Sequence, residues 1–182
     1  MSSLNETPKG ERVHIALFGR RNVGKSSLIN ALTGQPVSIV SAVKGTTTDP
    51  VAKAMELLPL GPIEIIDTPG LDDEGDLGRM RVQRAYEVLE KTDIAILVTD
   101  AETGIGDCEQ ALLKLVRDRK VQAFVVFNKG DLSRLDDEAL KQAAAQAGAP
   151  AFSVSSVTRE GVEAFKLALA QAVPEEADKF QI

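Results

Sequence analysis

The segment Gly19-Arg-Arg-Asn-Val-Gly24-Lys25-Ser26 lies between an apolar run at 13–18 and a helix-like stretch at 26–32, so strand, tight loop and helix follow one another directly. The pattern G-x-x-x-x-G-K-[ST] is informative because chemistry explains its spacing. Glycines let the backbone curl until successive N–H groups point inward, and the helix N-terminus adds partial positive charge, which suits phosphate groups. Lys25 would reach the β- and γ-phosphates, while the Ser26 hydroxyl would ligate Mg²⁺. Gly19, Arg20, Asn22, Val23, Gly24, Lys25, Ser26 and Ser27 are therefore candidate contacts to a nucleoside triphosphate.

A chain of 182 residues is long enough for one well-buried domain and short for two. With 26% charged and 43% hydrophobic residues it reads as globular over most of its length. A formal net charge of −6 disfavours general affinity for nucleic acid while leaving room for a local basic patch, and the 4% aromatic content offers no base-stacking platform, so a nucleic-acid partner is the weaker expectation. Cys108 is the sole cysteine, so this chain alone builds neither a disulfide nor a cysteine-ligated iron–sulfur cluster. That suits a reducing, cytoplasmic setting. The opening residues MSSLNETPKGER lack the apolar core of a secretory signal, and no run approaches the length of a membrane span.

Short β-branched runs alternate with longer amphipathic stretches, the mark of an α/β fold around a mainly parallel sheet. Strands are predicted near 12–18, 51–58, 63–67, 93–99, 122–127 and 151–154, and helices near 25–33, 77–91, 105–119, 136–147 and 160–172. Leu58-Pro-Leu-Gly-Pro62 is too tight for a crossover helix, so the second strand should run antiparallel to the third. Asp136 can cap the fourth helix, Gly148 and Pro150 stop it, and Pro174 ends the last. The domain organisation expected is a loose N-terminus at 1–10, one nucleotide-binding domain at 11–173, and a tail at 174–182. The tail reads as a frayed end or, in our preferred reading, as the start of a linker to further domains.

In doubly wound sheets ligands bind beyond the carboxyl ends of the strands, and the other polar motifs follow strands. After the third comes Asp67-Thr-Pro-Gly70, where Asp67 can hold Mg²⁺ directly or through water and the Gly70 N–H can meet the γ-phosphate. Between the first helix and second strand, Gly45-Thr46-Thr47-Thr48-Asp49 suits a loop that closes over Mg²⁺ and the γ-phosphate, with Thr46 and Thr47 as contacts. After the fifth strand stands Asn128-Lys129-Gly130-Asp131. The Asp131 carboxylate can accept from the ring N–H and exocyclic amine of guanine, a donor pair that adenine lacks. Asn128 would tie this loop to the phosphate loop and the Lys129 stem would pack on the base. Ser155 and Ser156, after the sixth strand, can offer backbone N–H groups to the guanine carbonyl. GTP and GDP are the implied ligands.

These segments stand in the order typical of Ras-like P-loop GTPases, and the chain resembles them. The pair G-R-R-N-V-G-K-S-S and G-T-T-T-D is similar to the branch containing Era, Der and the tRNA-modification GTPases. More narrowly, E-R-V-H-I-A-L-F-G-R-R-N-V-G-K-S-S-L-I-N-A-L-T-G, then D-P-V-A-K-A-M-E-L-L-P-L-G-P and G-L-D-D-E-G, resembles the N-terminal GTPase domain of the HydF family of [FeFe]-hydrogenase maturation GTPases. That resemblance implies Mg²⁺-dependent GTP hydrolysis, hydrogenase maturation proteins as partners, and dimerisation and iron–sulfur domains following the GTPase. Leu71 stands where Ras-type enzymes carry the glutamine that orients water, which implies slow turnover. The branch also implies K⁺ held by Asn22 and by carbonyls near Ser41 and Val43, countering charge that grows between the β- and γ-phosphates. Lys25, Asn22, Thr47 and Gly70 then carry catalysis; no general base is assigned, since Asp72, Asp73 and Glu74 lie in the right loop but an acidic loop is more often solvated than catalytic. The tRNA-modification branch pairs its GTPase domains, so a nucleotide-dependent homodimer is a further expectation. An RNA-modification or ribosome-assembly GTPase is the alternative function.

Some residues have plainer readings. Alternation does not decide whether His14 is buried, Cys108 reads as a packed or surface thiol, and Arg20 and Arg21 read as exposed loop arginines in preference to in-cis charge stabilisers.

Overall fold

The computed structural model describes residues 13–20, 23–34, 51–57, 60–67 and 86–172. In chain order the elements are β1 Val13–Gly19, α1 Lys25–Thr33, β2 Val51–Leu57, β3 Gly61–Asp67, β4 Ile94–Asp100, α2 Asp107–Asp118, β5 Gln122–Asn128, α3 Asp137–Ala147, β6 Ala151–Ser153 and α4 Val162–Ala172. One six-stranded sheet has the order β2-β3-β1-β4-β5-β6. Among the described strands only the β2–β3 pair is antiparallel, from Val51↔Asp67 to Leu57↔Gly61, as the tight connection requires. Helices pack on both faces of this mainly parallel sheet.

Period-two alternation builds the two faces. Ile15 and Leu17 of β1, Ile94, Ile96 and Val98 of β4, and Phe124 and Val126 of β5 pack with Leu28, Ile29 and Leu32 of α1 and Phe165 and Leu169 of α4. The intervening residues Ala16, Phe18, Ala95, Leu97, Val125 and Phe127 face α2 and α3 through Leu112, Leu113, Val116, Ala143 and Ala147. A strand covered on both sides should be apolar throughout, and all seven residues of β4 are buried, Thr99 and Asp100 included. Phe165 meets Phe124 edge to face, with centroids 5.8 Å apart.

Local signals set most helix bounds. Asp136 accepts from the Ala139 N–H at 2.8 Å, and left-handed Gly148 returns its N–H to Ala144 O at 2.8 Å, as the sequence predicts for this helix. Two helices start later than expected. Extended Gly106 and the Glu109 side chain reaching back to its N–H at 3.0 Å delay α2 to Asp107. A turn with Arg159 at φ 67° and its N–H on Ser155 O at 2.8 Å delays α4 to Val162. Of the helix expected at 77–91, the described part is helical over 86–89. The expected stop at Pro174 lies outside the described residues.

Candidate nucleotide site

Strand register brings the motif-bearing ends to one rim. Leu17 pairs with Asp67, Gly19 with Val98, Asp100 with Asn128 and Phe127 with Ser153. The carboxyl ends of β1, β3, β4, β5 and β6 therefore share an edge, where α1 begins.

Two glycines explain the course of the phosphate loop. A Cβ on Gly19 would lie 2.6 Å from Val98 O, so only glycine lets β1 leave the sheet this close to β4. Gly24 has φ 88°, and a Cβ there would lie 2.5 Å from Asn128 Nδ2. As the N-cap of α1, Gly24 supplies no side-chain cap, and the first turn carries no acidic residue. Positive helix potential and N–H donors are thus directed at the rim, an arrangement suited to an anion. Lys25 is half-buried, Ser26 and Ser27 are exposed, and Val23 is buried beneath the loop.

Asn128, 2% exposed, joins three loops. Its Nδ2 donates to Val23 O at 3.1 Å and Gly24 O at 3.2 Å. Its Oδ1 accepts from Ser156 Oγ at 2.9 Å and from Ser156 N at 3.3 Å. Beside it, Lys129 takes φ 61°, a conformation costly for a side-chain-bearing residue, and its carbonyl accepts from the N–H groups of Leu132 and Ser133. The Lys129 ammonium lies 3.4 Å from Asp100 Oδ2. Asp131 is exposed, its Oδ1 accepting from Ser155 Oγ at 2.9 Å. The Ser155 oxygen is itself fixed by the N–H groups of Val157 and Thr158 at 3.2 and 3.0 Å. A carboxylate aimed this way can take two donors from one edge of a base.

The Ser155 N–H donates to Glu160 O at 2.9 Å and the Ser156 N–H to Asn128 Oδ1 at 3.3 Å, while the two serine hydroxyls bond Asp131 and Asn128. One expectation is corrected. Arg20 is not simply an exposed loop arginine. Its Nε and Nη2 donate to Glu109 at 2.6 and 3.1 Å, and the Glu109 side chain is only 1% exposed.

Sequence reasoning missed Glu109 and Asp100. Burial pushes the Asp100 carboxyl upward, but the N–H and side chain of Thr103 and the Lys129 ammonium outweigh it and hold the group below its ordinary value of 3.8. An Asp closing an apolar strand at the ligand edge, as Asp67 does, was the available signal for Asp100. Glu109 had none, because an acidic residue in a helix's first turn is ordinary.

Ser26, on the first turn of α1, and Asp67, which ends β3 beside β1, are the described candidates for Mg²⁺. Hard oxygen donors few in number fit an ion that keeps waters and phosphate oxygens as its other ligands. No group of three or more His, Cys, Asp or Glu that could hold a metal occurs among the described residues. Asn22, Ser41, Val43, Thr46, Thr47 and Gly70 lie outside the described residues, as does Arg21. Cys108 is an exposed free thiol, and His14 is partly buried, its Nδ1 3.5 Å from Asp93. No described helix is long and apolar enough to cross a membrane.

A family model described as 50S ribosome-binding GTPase matches residues 14–129. The tRNA modification GTPase MnmE of Dechloromonas aromatica is 34% identical over 152 residues, 83% of this chain and 33% of that protein. GTPase Der of Clostridium perfringens is 40% identical over 134 residues, 71% of this chain and 30% of Der. Among solved structures, a variant of Era from Aquifex aeolicus bound to GDP·AlF4⁻ superposes with a TM-score of 0.72 at 25% identity, covering 89% of this chain and 57% of that one. The chain spans about a third of the length of the curated relatives it matches.

Proposed function

Because the chain belongs to the P-loop GTPase family, in the branch of Era, Der and MnmE, we propose that it binds GTP at the carboxyl rim of its sheet and hydrolyses it to GDP and phosphate with Mg²⁺. The observation that carries this reading is Asn128, whose one side chain ties the phosphate loop at Val23 and Gly24 to the loop that orients Asp131. Phosphate and base sites are thereby held at a fixed separation, which favours a ligand carrying both. Asp131 selects guanine, Lys129 packs on the base, and Lys25 and the N–H groups of α1 face the phosphates. Ser26, Asp67 and Thr47 would hold Mg²⁺, which would supply positive charge against the phosphates. Thr46 and Gly70 meet the γ-phosphate.

The aliphatic side chain of Leu71 gives no hydrogen bond to attacking water, so turnover rests on charge compensation. In this reading Asn22, with carbonyls near Ser41 and Val43, holds K⁺ for that purpose. Phosphate release from GTP in Mg²⁺ should be faster in KCl than in NaCl, and Asn22→Ala should abolish the difference. Equal rates in the two salts reject the K⁺ site, and no release in either rejects hydrolysis.

The biological setting we propose is cytoplasmic maturation of [FeFe]-hydrogenase. Its support is the stretch around the phosphate loop together with G-L-D-D-E-G. A strain lacking the gene should lose hydrogenase activity while its translation is intact. A second reading, action on RNA or the ribosome, is favoured by the family description and by the tRNA-modification relative. Intact hydrogenase with a tRNA-modification or ribosome defect supports that reading and rejects the first. Nucleotide-dependent pairing of two copies is part of the proposal, and light scattering with GDP, fluoroaluminate and K⁺ tests it. A monomer throughout rejects pairing.

A further inference from the structure

Glu109 is fully buried, on the first turn of α2, in the connection that follows β4. Its Oε2 accepts from Arg20 Nε at 2.6 Å, and its Oε1 accepts from Arg20 Nη2 at 3.1 Å and from Gly106 N at 3.0 Å. A carboxylate removed from water is costly unless it is paired and hydrogen-bonded, and here both conditions are met across a sequence gap of 89 residues. Fold stability does not demand this solution, because a buried ion pair can commonly be replaced by packed apolar side chains without loss. Capping of α2 accounts for only part of it, since the Gly106 N–H takes Oε1 whereas Oε2 is given to Arg20 Nε.

What the pair does demand is one position for Arg20, the residue immediately after Gly19. Gly19 is pinned on the other side, its Cα passing so close to Val98 O that a Cβ would lie 2.6 Å away. Adding a Cβ at Gly106 would bring it to 3.2 Å from Arg20 Nη2 and 3.3 Å from Glu109 Oε1, so the clasp is closely packed on its open side as well. The first turn of the phosphate loop is therefore held between β4 and α2. Its far end is held separately, by Asn128.

We propose that Glu109 is a positioning residue for the phosphate loop. Acting through Arg20, it fixes the entry of the loop so that its N–H groups converge on the β-phosphate. The Arg20 guanidinium then serves as a strut rather than as a charge that meets phosphate. This proposal rests on the GTP reading above and adds to it a residue that no motif marks.

The test compares affinities for GDP and GMP in Mg²⁺ buffer by calorimetry, alongside nucleotide-free melting, for the whole chain and two variants. GMP lacks the β-phosphate, so the GDP-to-GMP affinity ratio reports loop curvature while base recognition cancels. E109Q should lower that ratio about tenfold, the loss expected when a charge-assisted contact is weakened. E109D, which keeps the charge and Arg20 but shortens the reach to it, should lower the ratio as well and keeps the test decisive if E109Q fails to fold. An unchanged ratio in folded variants reduces the pair to a structural contact and overturns the proposal. A raised GDP affinity in E109Q also overturns it, since a released Arg20 would then be meeting phosphate directly. If the wild-type chain binds neither nucleotide, the GTP reading itself fails, an outcome distinct from wild-type binding with unchanged ratios.

Discussion

Replacing Asn128 by alanine tests the join at the centre of the site. The side chain is buried and takes part in four hydrogen bonds, two given to Val23 O and Gly24 O and two received from Ser156. At about 0.5–1.5 kcal/mol net each, with one donor bond shared and one long, their loss amounts to about 2–4 kcal/mol. Val23 O and the Ser156 N–H lose this partner while Gly24 O keeps the Leu28 N–H at 2.9 Å, which puts the cost near the middle of that range. For a domain of this size about 3 kcal/mol lowers Tm by about 6–12 °C. Thermal and urea melts without nucleotide measure this directly, and the same sample should lose guanine-nucleotide affinity because phosphate loop and base loop are no longer coupled. A loss below about 1 kcal/mol with wild-type GDP affinity would refute the claim that Asn128 holds these loops in place.

Three further outcomes are expected. Gly24→Ala forces a Cβ against Asn128 Nδ2 at a left-handed position, so melting should show a loss that shrinks in the Asn128→Ala background, and full additivity in the double-mutant cycle would contradict the contact. Asp131→Asn presents one donor where guanine needs an acceptor, so competition binding should show at least about a hundredfold loss of guanine affinity, and wild-type affinity would remove Asp131 from the base site. Asp100 has a folded pKa held below 3.8, so unfolding takes up a proton across that window. Its stabilisation is present above the ordinary carboxylate value and is lost as pH falls through the folded pKa. The Tm gap between wild type and Asp100→Asn should therefore be constant near neutrality and narrow below 3.8, whereas a gap that widens on acidification would reverse the sign.

What was legible in the sequence was local or strictly patterned. The bounds of α1 at 25–33 match the expected range because apolar spacing and flanking glycines act within a few residues. The antiparallel β2–β3 pair follows from a connection too short to cross over. The rim position of Asp67, Asn128 and Ser155 follows from strand polarity, which motif order already encodes. Long-range pairing was not legible. Nothing near Arg20 announces a carboxylate on α2, and nothing near Glu109 announces burial, since the ion pair exists only once β1 and β4 lie side by side. The hydrogen bond from the Ser155 N–H to Glu160 O likewise depends on Arg159 adopting a left-handed backbone, which composition does not signal.

Calorimetric titration of the purified chain with GDP and ADP in Mg²⁺ buffer, each against wild type and Asn128→Ala, bears most directly on the central claim. The account predicts binding of GDP by the wild type, a preference over ADP of at least about a hundredfold, and loss of most of that affinity in the variant. Equal binding of the two nucleotides, or binding of neither, would contradict it.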